Sequence, residues 1–193
     1  SLLSGDLAAG CASDGSTDPN VCITALINGG FEVDNNLSGS WDYVPQDQVL
    51  GWSTTSAPGT IEIQADMGTG DMIPSNSGDY HFELNGDGLN TLYQGFCTTP
   101  GTNLEVTFSH KKRRVSGVDE MTLYVGDDLG TIESTTAIPV FSTDVDTWET
   151  KTFVFDIPEG QDYTYVYFKA VSGTNNTVGN LLDDISVEST FQS

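Results

Sequence analysis

LEVTFSHKKRR, residues 104–114, decides the fold class. Leu104, Val106 and Phe108 alternate with Glu105, Thr107 and Ser109, which puts the apolar side chains on one face of an extended segment. Met121, Leu123 and Val125 repeat the pattern, as do Val166, Phe168 and Ala170. Strand-like runs also occupy VCITALI (21–27), TIEIQ (60–64), YHFEL (80–84), ETKTFVF (149–155) and LLDDISVE (181–188), with Gly, Asn, Asp and Pro between them. Nowhere do apolar residues recur at helical spacing over three turns. Many short strands, each with one apolar face, must bury those faces against one another. The expectation is an all-β protein: a two-sheet antiparallel β-sandwich wired as a jelly roll.

The chain has 193 residues, enough for one well-cored domain, expected over 21–190 behind an N-terminal tail at 1–20. It carries 28 acidic residues against 6 Lys and Arg, a formal net charge of −22. That charge argues against nucleic acid or an anionic membrane as partner. It suits an extracellular or high-salt setting, where acidic surfaces stay hydrated and attract divalent cations. No apolar run approaches the ~18 residues a membrane helix needs. Of the three cysteines, Cys11 and Cys22 flank a turn-rich segment and are expected to form a local disulfide, leaving Cys97 as a buried thiol. The chain is expected to be secreted, attached to or cut from a larger protein.

NGGFEVD (28–34) and NLLDDISVE (180–188) resemble the opening and closing strands of galactose-binding-like jelly rolls, which include many secreted bacterial carbohydrate-binding modules. Between them, Gly51–Trp52, HFELN (81–85), LYQ (92–94) and TTPGTNLEVTFSH (98–110) keep the order of such modules. The resemblance implies a non-catalytic glycan-binding domain with a structural calcium at the positions of Glu32 and Asp183, backbone carbonyls supplying the rest. Parity with Ile185 and Val187 points Asp183 inward, where a charge needs a partner or a metal. Asp184 stands beside it. Calcium takes about six to eight hard oxygens, which suits such a set.

Two glycan surfaces remain open from the residues. Tyr163, Tyr165 and Tyr167 share an outward stripe with Lys169, and His81, Glu83 and Asn85 alternate outward from Phe82 and Leu84, with Gln94 and His110 in family-like positions. Flat rings with polar neighbours suit pyranose sugars. Alternatively, Trp41 and Tyr43 form an exposed loop platform while Trp52 enters the core. A structural or adhesive domain with no sugar pocket is the competing class.

Lys111, Lys112, Arg113 and Arg114 concentrate four of the six bases at the end of one strand. Either they are neutralised internally by acids such as Asp119, Glu120, Asp127 and Asp128, or Arg113 and Arg114 grip a carboxylate or sulfate of an anionic polysaccharide. Catalysis has little support. No GxSxG occurs, and the spacing of Glu62, Glu83 and His81 does not show that any two face one cleft.

Overall fold

The computed structural model describes residues 25–33, 37, 39–66, 73–114 and 117–191. Within them the expected runs become strands of two antiparallel sheets. One sheet has six strands, ordered β1 (Trp41–Pro45), β2 (Thr60–Ala65), β3 (Tyr80–Glu83), β10 (Leu181–Phe191), β5 (Thr102–Lys111) and β8 (Glu149–Asp156). The other has four, ordered β4 (Thr91–Cys97), β9 (Tyr163–Ser172), β6 (Asp119–Gly126) and β7 (Ile138–Ser142). β1–β2, β2–β3 and β6–β7 pair as neighbours, and every other step along the chain crosses to the opposite sheet, which is the jelly-roll wiring.

The core is what the alternation assigns. Leu104, Val106 and Phe108 from β5 meet Met121 and Leu123 from β6 and Val166, Phe168 and Ala170 from β9, all of them buried. Phe108 and Phe168 lock the two sheets edge to face, ring centroids 5.1 Å apart. Trp52 enters the same core against Phe31, and its indole Nε1 donates to the carbonyl of Asn28 at 2.8 Å.

Three strands were not expected, and each hides its signal. β1 carries its aromatics on the exposed side and ends at Pro45, while β7 holds Pro139. Both are edge strands, where a missing N–H is tolerated. β4 is interrupted by Gly95, whose missing side chain is the space taken by the rings of Tyr163 and Tyr165. Conversely, residues 25–33 form no strand; 21–24 and the expected tail at 1–20 lie outside the described residues. Phe31 sits at φ +60°, and the segment docks on β10 through one bond, Ile185 N–H to the Gly29 carbonyl at 2.9 Å.

The cysteine expectation is corrected. Cys97 is half-buried and disulfide-bonded, so it is no free thiol. With three cysteines in the chain, a Cys11–Cys22 pair is then incompatible; both of those residues lie outside the described set.

Candidate functional site

The site is built on the face of the six-stranded sheet turned away from the core. Strand register lays side chains across it in rows. Trp41, Gln64 and His81 stand opposite one another in turn on β1, β2 and β3. In the next row Tyr43 faces Glu62, Glu62 faces Glu83, and Glu83 faces Leu181 of β10. His81 and Glu83 do point away from the core, but they are buried, not outward on an open surface as expected, and Asn85, beyond the end of β3, is buried against Asn180.

What buries this part of the face is a strap at residues 74–79. Its carbonyl at Pro74 accepts the indole N–H of Trp148 at 2.9 Å, and Ser75 Oγ lies 3.0 Å from His81 Nδ1. Asn76 and Ser77 donate their backbone N–H groups to Asp183 Oδ2 at 2.8 and 3.2 Å. Trp148 caps His81 edge-on at 5.5 Å. Burial, then the charges of Arg113 and Lys111, push the His81 imidazole down to about 3, so it stays neutral. It is held between Ser75 and Gln64 and offers no open ligand position.

Beside it, two carboxylates share one cation. Glu83 accepts the Arg113 guanidinium N–H, and Glu62 Oε1 lies 3.7 Å from the same Nη1. The Gln64 amide donates to both, at 2.9 Å to Glu62 and 2.5 Å to Glu83, and the Gly179 N–H donates to Glu83 at 2.7 Å. One arginine offsets one carboxylate. Burial and the charge of Glu62 push Glu83 up to about 9, so the pair keeps a proton at neutral pH.

The SHKKRR corner is therefore an internal fastening, with Asp119 among its partners as expected but the Arg113 guanidinium on two acids that were not. Arg113 is taken by Glu62 and Glu83, and its backbone N–H by Asp119 at 2.9 Å. Lys111 donates to the Asp146 carbonyl at 3.2 Å and lies 5.9 Å above the Trp148 ring. Lys112 donates to the Gly117 carbonyl. Asp128 instead holds its own turn, through Gly130 and Thr131. Only Arg114 of the four is exposed.

The open end of the face is β1. Trp41 and Tyr43 are 46% and 38% exposed, with rings edge to face at 5.4 Å. They stand on a strand, not in the expected loop, so register fixes their neighbours. A methyl group on Gly86 would lie 3.2 Å from both Tyr43 Cε1 and Glu62 Oε2, so the two groups line one spot at the foot of the platform.

The expected calcium residues do converge, though not as parity implied. Asp184 sits at φ +50° and the β10–β5 register shifts between Asp183 and Ser186, so β10 bulges. Leu182 and Ile185 face the core, and Asp183 turns to the opposite face, fully buried beneath the strap. Around Gly30, a methyl group would lie 3.7–3.9 Å from Glu32 Cγ, Asp183 Oδ1 and Asp184 Oδ1. All six carboxylate oxygens already accept N–H or O–H donors from residues 76–80 or, for Asp183 Oδ1, from the Asp184 N–H. Among the described residues none of the three makes an ion pair, and no three His, Cys, Asp or Glu side chains close into a ready metal site. The oxygens fit calcium in type and charge, though Glu32 Oε1 and Asp183 Oδ2 each already accept two N–H donors. Burial and the charge of Asp184 push Asp183 up to about 7.

Other candidates have structural partners. Gln94 clamps the backbone of Ile27 through both amide atoms, at 2.7 and 3.0 Å. His110 faces inward, its Nε2 2.9 Å from Asn180 Oδ1, and burial pushes it down to about 4. Asn180 also binds Asn85, which pulls that side chain out of reach. On the four-stranded sheet Tyr165 is half-buried in a ladder with Tyr93 and Tyr163, and Tyr167 is buried and donates to Glu133 at 3.0 Å. The sequence offers Glu62 only as one carboxylate among several, and nothing in it marks Gln64 or Asn180 as site residues. TIEIQ does put Glu62 and Gln64 on one face, but only register shows that this face adjoins Trp41 and Tyr43.

Two antiparallel sheets in this order define a jelly-roll sandwich of the kind carbohydrate-binding modules adopt. TmCBM61, solved in complex with β-1,4-galactotriose, matches 86% of this chain over 97% of its own, with a TM-score of 0.56 and 16% identity. The CBM22-1 xylan-binding domain of Paenibacillus barcinonensis Xyn10C matches 89% of this chain over 98% of its own, at a TM-score of 0.49 and 11% identity. The enzymatically active domain of bacteriophage CBA120 tailspike protein 4 matches 87% of this chain over 22% of its own, at 0.48 and 13%. The likeness is one of fold, and at scores below 0.5 it carries no further argument. No family model matches the chain, and no curated protein matches it in sequence.

Proposed function

We propose that this chain is a non-catalytic carbohydrate-binding module that works outside the cell and holds a structural calcium. The observation that carries the reading is the Trp41–Tyr43 pair, two large exposed rings side by side at the open end of a sheet face, with the exposed Asp87 near them. Rings for stacking beside a polar group for hydroxyls are what a sugar site needs. The solved relative with the same fold binds a galactan oligosaccharide, which supports the class of ligand. Glu32, Asp183 and Asp184 would hold the calcium, whose charge would offset theirs. The disulfide at Cys97 favours an oxidising compartment.

A hydrolytic role finds no support at the acid pair. Glu62 and Glu83 are buried, within hydrogen-bonding reach of each other and held by Gln64 and Arg113, which leaves no place between them for a glycosidic bond. Affinity electrophoresis against a panel of soluble polysaccharides tests the reading. Retardation by at least one polymer, lost in Trp41→Ala, is expected; silence across the panel would favour a spacer or adhesive domain.

A further inference from the structure

We propose that the Trp41–Tyr43 site selects neutral glycans and rejects chains bearing uronate or sulfate, with Asp87 setting that preference; this rests on the carbohydrate reading above. A site for an anionic sugar needs a cation free to reach the ligand. The base closest to this platform, Arg113, has its guanidinium on Glu62 and Glu83, so it is already spent. Lys111 and Lys112 are buried and donate to backbone carbonyls, while Lys151 and Lys169 are paired with Glu149 and Glu133. Among the described residues that leaves Arg114 as the exposed base without an ion pair.

Acids, in contrast, lie beside the rings. Glu62 Oε2 and Tyr43 Cε1 flank Gly86, Glu62 being already offset by Arg113, and the exposed Asp87 follows it with no described base paired to it. The phenol of Tyr43 responds to this setting: burial first, then Glu62, Asp87 and Glu83, push it up, and Arg113 only partly opposes them. A Debye length of about 8 Å at physiological salt leaves such neighbours unscreened from a ligand on the rings. A pyranose hydroxyl can donate to the exposed Asp87 carboxylate, whereas a ligand carboxylate or sulfate meets like charge there.

The experiment pairs each neutral polymer with an acidic one: β-1,4-galactan with polygalacturonate, and xylan with chondroitin sulfate. Affinity is measured at about 20 mM and 150 mM salt, with calcium present, for the wild-type chain, Trp41→Ala, Asp87→Asn, Glu62→Gln and Arg114→Ala. Expected are retention of a neutral polymer lost in Trp41→Ala, and acidic polymers bound at least tenfold more weakly, with the gap widest at low salt. Asp87→Asn, a surface change that leaves the acid pair intact, narrows that gap, whereas Glu62→Gln, in a cluster that Arg113 already neutralises, leaves it as it was. Acidic polymers bound as tightly as neutral ones and lost in Trp41→Ala would overturn the selectivity while leaving the sugar site standing. Acidic binding lost in Arg114→Ala but kept in Trp41→Ala would overturn it too, by moving the anion site to the basic corner. Silence of a well-folded chain on all four polymers would overturn the carbohydrate reading beneath, and the selectivity with it.

Discussion

Glu62 and Glu83 stand directly opposite each other on β2 and β3, and one guanidinium, that of Arg113, reaches both. Like charges directly across a strand pair repel, and burial removes the water that would soften the repulsion. Replacing the arginine by a neutral residue leaves the two acids without their counter-charge. Arg113→Met is expected to cost about 3–5 kcal/mol, read from urea or thermal unfolding. Adding Glu62→Gln and Glu83→Gln to it should recover much of the loss. A triple variant no more stable than Arg113→Met would show that the arginine acts through packing alone.

The same pair gives the fold a pH dependence. Glu83 is raised to about 9 from an ordinary value near 4.5, so between those limits the folded chain binds a proton that the unfolded chain does not. Its contribution is fully present below about 4.5 and is lost as pH climbs toward 9. Wild-type stability minus that of Glu83→Gln should therefore fall steadily from pH 5 to pH 9. Glu62 is raised for the same reason, burial, and is coupled to its neighbour, so the difference curve reads the pair. A flat curve would mean the two carboxylates ionise freely.

Trp41 and Trp52 show how much of this was legible in the sequence. Trp52 follows Gly51 in a motif whose resemblance places it in the core, and it is 2% exposed. Trp41 is exposed, as its sequence context implies, but its strand looks like a loop in sequence because an edge strand ending in proline buries no continuous apolar face. The sandwich core was legible because period-two alternation is a local property of each strand. The Glu62–Glu83–Arg113 cluster was not, because it depends on which strands become neighbours, and on β10 separating β3 from β5. Asp183 was assigned to the core by parity and lies on the other face, since the bulge at Asp184 shifts the alternation by one residue.

The two tryptophans should also separate in experiment. Trp41→Ala removes a half-exposed ring from an edge strand and is expected to change stability by less than about 1 kcal/mol while abolishing polysaccharide retardation. Trp52→Ala opens a cavity against Phe31 and frees the Asn28 carbonyl, at about 3–5 kcal/mol. Retained binding in Trp41→Ala would remove the platform from the site.

The disulfide at Cys97 closes a loop on the order of 80 residues with either Cys11 or Cys22. In the chain-entropy account this contributes about 4 kcal/mol. Reduction should lower the melting temperature markedly. Of Cys11→Ser and Cys22→Ser, one should reproduce the loss and the other should not. Peptide mapping without reductant that finds Cys97 as a free thiol would contradict the bond.

Calcium at Glu32, Asp183 and Asp184 makes the last expectation. Three carboxylates meet around Gly30 with no described base paired to them, and Asp183 responds by being pushed up to about 7, by burial and then by Asp184. A bound divalent cation would remove that conflict. It would also tighten the strap, because residues 76 and 77 hang on Asp183 and Asp184 through their backbone and side-chain donors. Binding to the folded state alone adds RT ln(1 + [Ca]/Kd), about 2.7 kcal/mol at a hundredfold excess over Kd. The melt should rise by several degrees from chelator to millimolar calcium. Proteolysis near residues 74–79 should slow in parallel, a readout independent of sugar binding. Asp183→Asn keeps one acceptor oxygen for the strap but discards the buried charge. It should lose most of the calcium-dependent gain without becoming less stable than wild type in chelator. Equal wild-type melts with and without calcium would mean that the N–H donors of the strap suffice for these carboxylates, and that no ion belongs there.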